Sequence, residues 1–263
     1  MPRIAAVLFI FASLAGPVHA AREMTTDRPD TTESPFTVEP GHFQLEMSFA
    51  EFLQDSANPE HSRVRVNEWN FAPFNLRVGI SENTDLHVIF EPRHVGRVED
   101  RSTGQVIKSS GTGDVTLRMK WNFWGNDGGA SALGIMPFVT LPTGSKDFGG
   151  THVQGGVILP ASFDLPAGWS LAVMTEWDLT RNRNDDGYDH VWVNSASFGH
   201  SIVGPVDGFV ELVSQVGGPP QVTLNGGISW EIGENVKWDA GANFALNRAA
   251  DDLLLFTGIS WRH

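Results

Sequence analysis

The last eleven residues, Leu253 to His263, alternate with period two, and Leu253, Leu255, Ile259 and Trp261 share one parity with the terminal residue. An apolar stripe counted back from the C-terminus is the pattern of the closing strand of an outer-membrane β-barrel, with lipid on one side and a polar interior on the other. The same alternation recurs upstream. Phe43, Leu45, Met47 and Phe49 alternate with Gln44, Glu46 and Ser48, and Phe74, Leu76, Val78 and Ile80 with Asn75, Arg77 and Gly79. Leu86, Val88 and Phe90 alternate with His87, Ile89 and Glu91. The clearest case puts Val115, Leu117, Met119, Trp121 and Phe123 on one face, with Asp114, Thr116, Arg118, Lys120 and Asn122 on the other. A soluble sandwich shows this pattern too, with its apolar face turned inward.

Connection lengths separate the two architectures. Tight turns at Ser81 to Thr84, Gly125 to Gly129, Leu165 to Gly168, Gly204 to Asp207 and Gly233 to Asn235 alternate with loops. The loops are Asp55 to His61, Pro92 to Thr112, Thr143 to Gly150, Thr180 to Asp189, Val216 to Pro220 and Asn247 to Asp252. Five turns and six loops predict an all-β fold, a transmembrane antiparallel up-and-down β-barrel of about twelve strands with both termini at the turn end. The expected strands are 42–54, 62–80, 85–92, 113–124, 130–142, 151–164, 169–179, 190–203, 208–215, 221–232, 236–246 and 253–263. Most reach the roughly 9–11 residues of a tilted crossing. Pro73 marks a bend within the second. The eighth and ninth are ambiguous in facing, because Trp192 and Phe198 oppose Val191 and Val193 in phase, and a bulge is expected there. Trp121, Trp124, Trp169, Trp177, Trp230, Trp238 and Trp261 sit near strand ends, as interfacial girdle residues do, although the chain has a single Tyr, Tyr188.

The N-terminus supplies an address. Arg3, the apolar run Ile4 to Leu14 and Val18-His19-Ala20 form a secretory signal peptide over residues 1–20. Residues 21–41 then read as an N-terminal periplasmic segment or plug, and 42–263 as the outer-membrane barrel of a Gram-negative bacterium. The absence of Cys rules out disulfides, thiol catalysis and a lipid anchor. A net charge of −13, with 31 acidic against 18 basic residues, argues against nucleic acid as a partner. The expected partners are outer-membrane lipid and lipopolysaccharide, the barrel-assembly machinery and a small-molecule solute, with no cofactor and no metal.

The chain also resembles a known family. Thr26-Asp27-Arg28-Pro29-Asp30 is followed by Val38-Glu39-Pro40-Gly41-His42-Phe43-Gln44-Leu45-Glu46 and Leu76-Arg77-Val78-Gly79-Ile80. Then come Gly111-Thr112-Gly113-Asp114-Val115, Leu141-Pro142-Thr143-Gly144-Ser145 and Trp238-Asp239-Ala240-Gly241. In order and spacing these resemble the MetA-pathway of phenol degradation family, whose members are grouped with outer-membrane transporters. The resemblance implies a channel for small solutes, aromatic or otherwise hydrophobic ones among them, and assigns no binding residues. His263 at the end, in place of the usual aromatic, and the scarcity of Tyr are departures that bear on assembly.

Candidate chemistry follows from parity. The possible lumen-lining charges are Glu46, Arg77, Glu91, Arg118, Lys120, Glu176, Asp178, Lys237, Asp239 and Arg262. They either set the field a permeant feels or pair into a packed polar interior, Arg118 and Lys120 against Glu176 and Asp178, that seals a narrow barrel. Asp185, Asp186, Asp189 and His190 read as a solvated acidic loop, as a divalent-ion bridge to lipopolysaccharide, or as an Asp/His pair that activates water in a rim hydrolase. His152 and Ser162 are ten positions apart on one expected strand, too far for a nucleophile and its base. Gly144-Ser145-Lys146 resembles a phosphate loop only superficially, and the mature chain carries no Gly-x-Ser-x-Gly, His-Glu-x-x-His or dinucleotide fingerprint. The chain is thus expected to be no enzyme. The alternatives to a channel are a barrel-based hydrolase and a soluble periplasmic β-sandwich that binds a ligand.

Overall fold

Fifteen strand segments form one antiparallel sheet in the computed structural model, which describes residues 22–56, 63–182 and 187–263. They are β1 (Phe43–Asp55), β2 (Val64–Phe71), β3 (Phe74–Ser81), β4 (Thr84–Phe90), β5 (Arg93–Asp100), β6 (Val106–Gly111), β7 (Val115–Trp124) and β8 (Ser131–Leu141). There follow β9 (Gln154–Asp164), β10 (Trp169–Arg181), β11 (Tyr188–Val203), β12 (Val206–Val216), β13 (Gln221–Glu231), β14 (Val236–Ala245) and β15 (Leu253–Arg262). The expected signal peptide, together with Asp185 and Asp186, lies outside the described residues.

Six of the segments are halves of three wall strands. β1 pairs with β2 along Ala50 to Asp55 and with β3 along Phe43 to Met47, so β2 and β3 are one strand broken at Ala72 and Pro73. β4 joins β3 to β7, while β5 joins β2 to β6, which makes β4–β5 and β6–β7 single strands as well. The wall therefore has twelve strands, and it closes where β1 meets β15 from Gln44↔Arg262 to Gln54↔Leu253. His263 finishes the seam with its backbone: its N–H donates to Phe43 at 2.9 Å, and its carbonyl accepts from Phe43 N–H at 3.1 Å. No side chain is needed for that bond, which is how a terminal His is accommodated.

One expectation needs correction and another a change of place. The segment Pro92 to Thr112 is not a loop, because β5 and β6 extend the wall as a hairpin turning at Arg101 to Gln105. Its residues, such as Arg93, Arg97, Lys108 and Ser110, are polar where a bilayer-facing strand would be apolar, so the period-two signal fades. β11 keeps unbroken register with β10 from Tyr188 to His200, and its only irregularity against β12 falls at Ser201 and Val203. The conflicting phase arises because Val193 points inward onto a small apolar patch of Met136, Ile158 and Met174. Tight turns at the other end use left-handed glycines, including Gly204 (φ 53°) and Gly233 (φ 77°), where a side chain would be strained.

Burial is inverted relative to a soluble protein. On β7, Leu117, Met119, Trp121 and Phe123 are exposed while Lys120 and Asn122 are buried. On β4, Leu86 and Val88 are exposed, and Asp85 and His87 are buried. Two stacked sheets would bury those leucines, which removes the sandwich reading. Trp121, Trp124, Trp169, Trp230 and Trp261 form an exposed row toward the turn end, as interfacial aromatics do. Replacing the outward Leu117 by Arg should destabilise the folded barrel by about 2–4 kcal/mol if it lies at the bilayer midplane. Denaturant unfolding in lipid vesicles measures this, and an unchanged midpoint would mean that the face does not meet acyl chains.

Candidate functional site in the barrel interior

Charged side chains that a closed wall turns inward must find partners there, because an unpaired buried charge is costly. Here the partners come largely from residues 22–41, which precede the first strand and run against the inner face. Asp27 is the hub. Its carboxylate contacts Lys120 Nζ and lies 3.4 Å from Arg77 Nη1, while its N–H donates to Glu46 Oε2 at 2.9 Å. Arg77, fully buried, also reaches Glu46 at 2.9 Å and Asp85 at 3.0 Å, and donates to the Phe36 carbonyl at 2.7 Å.

Arg28 reaches across the β1–β15 seam, where its planar guanidinium holds both Asp239 oxygens, Nε at 3.1 Å and Nη2 at 2.7 Å, and also bonds Ser48 of β1. Glu211 accepts from the N–H groups of Thr31 and Thr32 at 3.0 and 2.7 Å and from the Thr32 hydroxyl. Glu33 contacts Arg118, and Arg262 lies 3.7 Å from Glu39. Asn122 donates to the Pro35 carbonyl, and Val38 N–H donates to Asp85, both at 2.9 Å. Two glycines make room for this path. A Cβ on Gly79 would fall 1.9 Å from the Glu39 carbonyl oxygen, and one on Gly258 would fall 2.5 Å from Arg28 Nη2.

Of the ten charges picked out by parity, Glu46, Arg77, Arg118, Lys120, Asp239 and Arg262 thus meet the N-terminal segment. Glu91 instead bonds His94 Nε2 at 2.9 Å, and Lys237 pairs with Glu231 at 2.8 Å. Glu176 and Asp178 sit on β10 and do not take the expected pairings with Arg118 and Lys120, whose short contacts are Glu33 and Asp27. Sequence reasoning did not single out Glu33, Asp85, His87 or Glu211 as site residues, and Asp27 entered only within the Thr26-Asp27-Arg28-Pro29-Asp30 stretch that precedes the first strand. Asp85 and Glu211 carried a signal, since each is an acid beside an outward apolar residue, Leu86 and Val210 or Leu212.

Four irregularities line up across neighbouring strands: the β1 bulge at Ser48 to Ala50 and the breaks at Ala72–Pro73, Glu91–Pro92 and Thr112–Asp114. Backbone bonds still stitch this line, Ser48 N–H to Pro73 at 3.0 Å and Gly113 N–H to Glu91 at 2.8 Å. At its level a cavity of about 240 Å³ is lined by Asp27, Arg28 and Glu33 of the segment and by Glu46, Glu91 and Arg118 of the wall, and reaches Pro73 and Phe74.

Toward the loop end, Asp114 caps the 142–153 loop by accepting from Gly144 and Gly150 N–H, both at 2.7 Å, and Phe148 stacks on His94 at 4.9 Å. That loop is where Gly144-Ser145-Lys146 falls. Asp251 stands at the rim, where burial and then Asp55, Glu68 and Asp252 push its carboxyl up. His152 bonds its neighbour Thr151, and Ser162 lies far along β9. Asp189 accepts from Asn182, and Trp177 Nε1 donates to His190. Among the described residues no three acids or histidines are placed to hold a metal ion.

The closed wall and its filled polar interior define a transmembrane β-barrel. The chain belongs to the family described as "Putative MetA-pathway of phenol degradation", whose model matches residues 26–263. No curated protein matches it. Among solved structures it is similar to the COG4313 outer membrane channel from Pseudomonas putida F1, with a TM-score of 0.66 at 13% identity, covering 91% of this chain and 100% of that one. It is also similar to the KdgM porin in complex with disordered oligogalacturonate, with a TM-score of 0.53 at 9% identity, covering 83% and 98%. The beta domain of a Bordetella autotransporter matches with a TM-score of 0.52 at 15% identity, covering 84% and 98%. At these identities the likeness is one of fold.

Replacing Asp27 by Ala should destabilise the protein by about 3–5 kcal/mol, because Lys120 and Arg77 lose a buried counter-charge. A companion measurement uses the chain's lack of Cys. A Met24→Cys variant, whose site is 2% exposed, should resist a bulky thiol reagent and become reactive once Asp27→Ala is added. Equal labelling of both would mean that Asp27 does not anchor the segment.

Proposed function

We propose that the protein is an outer-membrane channel of a Gram-negative bacterium through which small solutes, aromatic or hydrophobic ones among them, pass passively. In this reading residues 1–20 are the signal peptide, 21–41 are the plug and 42–263 the channel wall. The observation that carries it is the union of a lipid-suited exterior with an interior whose filling is a separate, non-strand segment held by side chains. A filling attached through ion pairs and hydrogen bonds can shift without breaking the backbone ladder of the wall. The Pseudomonas outer membrane channel and the KdgM porin share this fold, which supports the same class of activity.

The lumen charges then take roles. Asp27 and Arg28 anchor the plug to Arg77, Lys120 and Asp239, while Glu46, Glu91 and Arg118 border the interior cavity beside it. Glu176, Asp178, Lys237 and Arg262 contribute to the field along the inner wall. Outer-membrane lipid surrounds the wall, and the barrel-assembly machinery inserts it.

In planar bilayers the native chain should show weak or solute-dependent conductance, and the Asp27→Ala/Arg28→Ala variant a several-fold larger one. Reversal potentials across a salt gradient should show a weak cation preference that falls in Glu91→Gln. No leak of ions or organic solutes in either chain would remove the channel reading.

A further inference from the structure

The outward face of the β5–β6 hairpin and its neighbour β2 gathers Arg65, Arg97 and Lys108, all exposed, in a chain whose net charge is −13, with Arg93 further down β5 opposite Phe71. The alternate residues of these strands turn inward: Asn70 is buried, and Glu68 bonds His94 at 2.8 Å. Arg97 and Lys108 stand directly opposite one another in the β5–β6 register, and Asn67 opposes Arg97 from β2. Like charges at facing positions repel. Glu99 relieves part of this by pairing with Arg97 at 3.1 Å, but among the described residues Lys108 has no carboxylate within ion-pair distance. The next row toward the membrane is apolar: Phe52, Trp69 and Val95 face each other across β1, β2 and β5, with the Phe52 and Trp69 rings 4.8 Å apart. Between the two rows is an open groove of about 420 Å³ lined by Phe52, Asn67, Trp69, Val95, Arg97 and Lys108.

We propose that this groove binds a phosphorylated glycolipid of the outer leaflet, the lipid A part of lipopolysaccharide. A phosphate sits between Arg97 and Lys108 with Asn67 beside it, and the sugar and first acyl carbons lie on Phe52, Trp69 and Val95. The charge complementarity is specific in kind. A phosphate accepts from a guanidinium fork and an ammonium at once, and it cancels the repulsion between them. The aromatic row is what an interfacial belt presents, and the basic row above it is at headgroup height. The site rests on the outer-membrane reading but not on passage of any solute.

The test measures binding of bisphosphorylated lipid A, and of the same lipid stripped of its phosphates, to the detergent-solubilised full chain by native mass spectrometry. The Arg97→Gln/Lys108→Gln variant, confirmed as folded by heat-modifiable gel migration, should bind lipid A about 30-fold more weakly, since each basic group near an anionic surface contributes comparably. Removing the phosphates should weaken binding to the native chain to a similar degree, a comparison that holds even if the variant misfolds. Inorganic phosphate should not compete. Equal affinity for the two lipids, unchanged binding in the folded variant, or competition by inorganic phosphate overturns the site while leaving conductance intact. Recovery of the native chain in the soluble periplasmic extract would overturn the outer-membrane reading itself.

Discussion

Every backbone N–H and C=O that faces hydrocarbon has to be bonded within the protein, and that requirement organises this molecule. It forces the sheet to close on itself, and the β1–β15 pairing with the Phe43–His263 bonds is where closure is achieved. Closure in turn sorts side chains without regard to their usual preference. Leu86, Leu117 and Trp121 go outside, while Asp85, Arg77 and Lys120 go inside. An enclosed set of charges then needs counter-charges, and residues 22–41 supply Asp27, Arg28 and Glu33. The filling of the barrel thus follows from the same constraint as its wall.

The interior network is better understood as a device for placement than as a source of stability. Buried ion pairs return little more than their desolvation removes, whereas breaking one strands its partner. Arg77 illustrates the arrangement: with three acids and the Phe36 carbonyl around it, it accepts one conformation of the segment and penalises others. Gly79 and Gly258 add a steric counterpart, since the wall is bare where the segment passes closest.

Much of the wall was legible from residue order, because period two survives wherever lipid demands an apolar face, as along Val115 to Phe123. It was lost in β5 and β6, where polar residues interrupt both faces of the hairpin and no continuous apolar stripe remains to count. Pro73 did announce the break between β2 and β3, while the matching breaks at Glu91–Pro92 and Thr112–Asp114 were absorbed into an expected loop. Parity also located the inward charges, yet not what they touch. The segment from Arg22 to Gly41 has no period, so its pairing of Asp27 with Lys120, or Arg28 with Asp239, depends on a folded path that local pattern does not encode. Val193 shows the reverse failure: its phase was legible, but its inward direction looked anomalous without the apolar patch of Met136, Ile158 and Met174 that receives it.

The seam between the first and last strands also dictates an order of events. Arg28 finds Asp239 across 211 positions of chain, and Thr32 finds Glu211 across 179. These contacts, like the β1–β15 ladder, require the far end of the polypeptide to be present. The leading segment precedes β1 and ends up enclosed, so it must already lie within the curling sheet when the edges meet, or be drawn through afterwards. In the first of these orders, zipping the cylinder shut and trapping its contents are one late step; in the second, the closed wall has to admit its own filling.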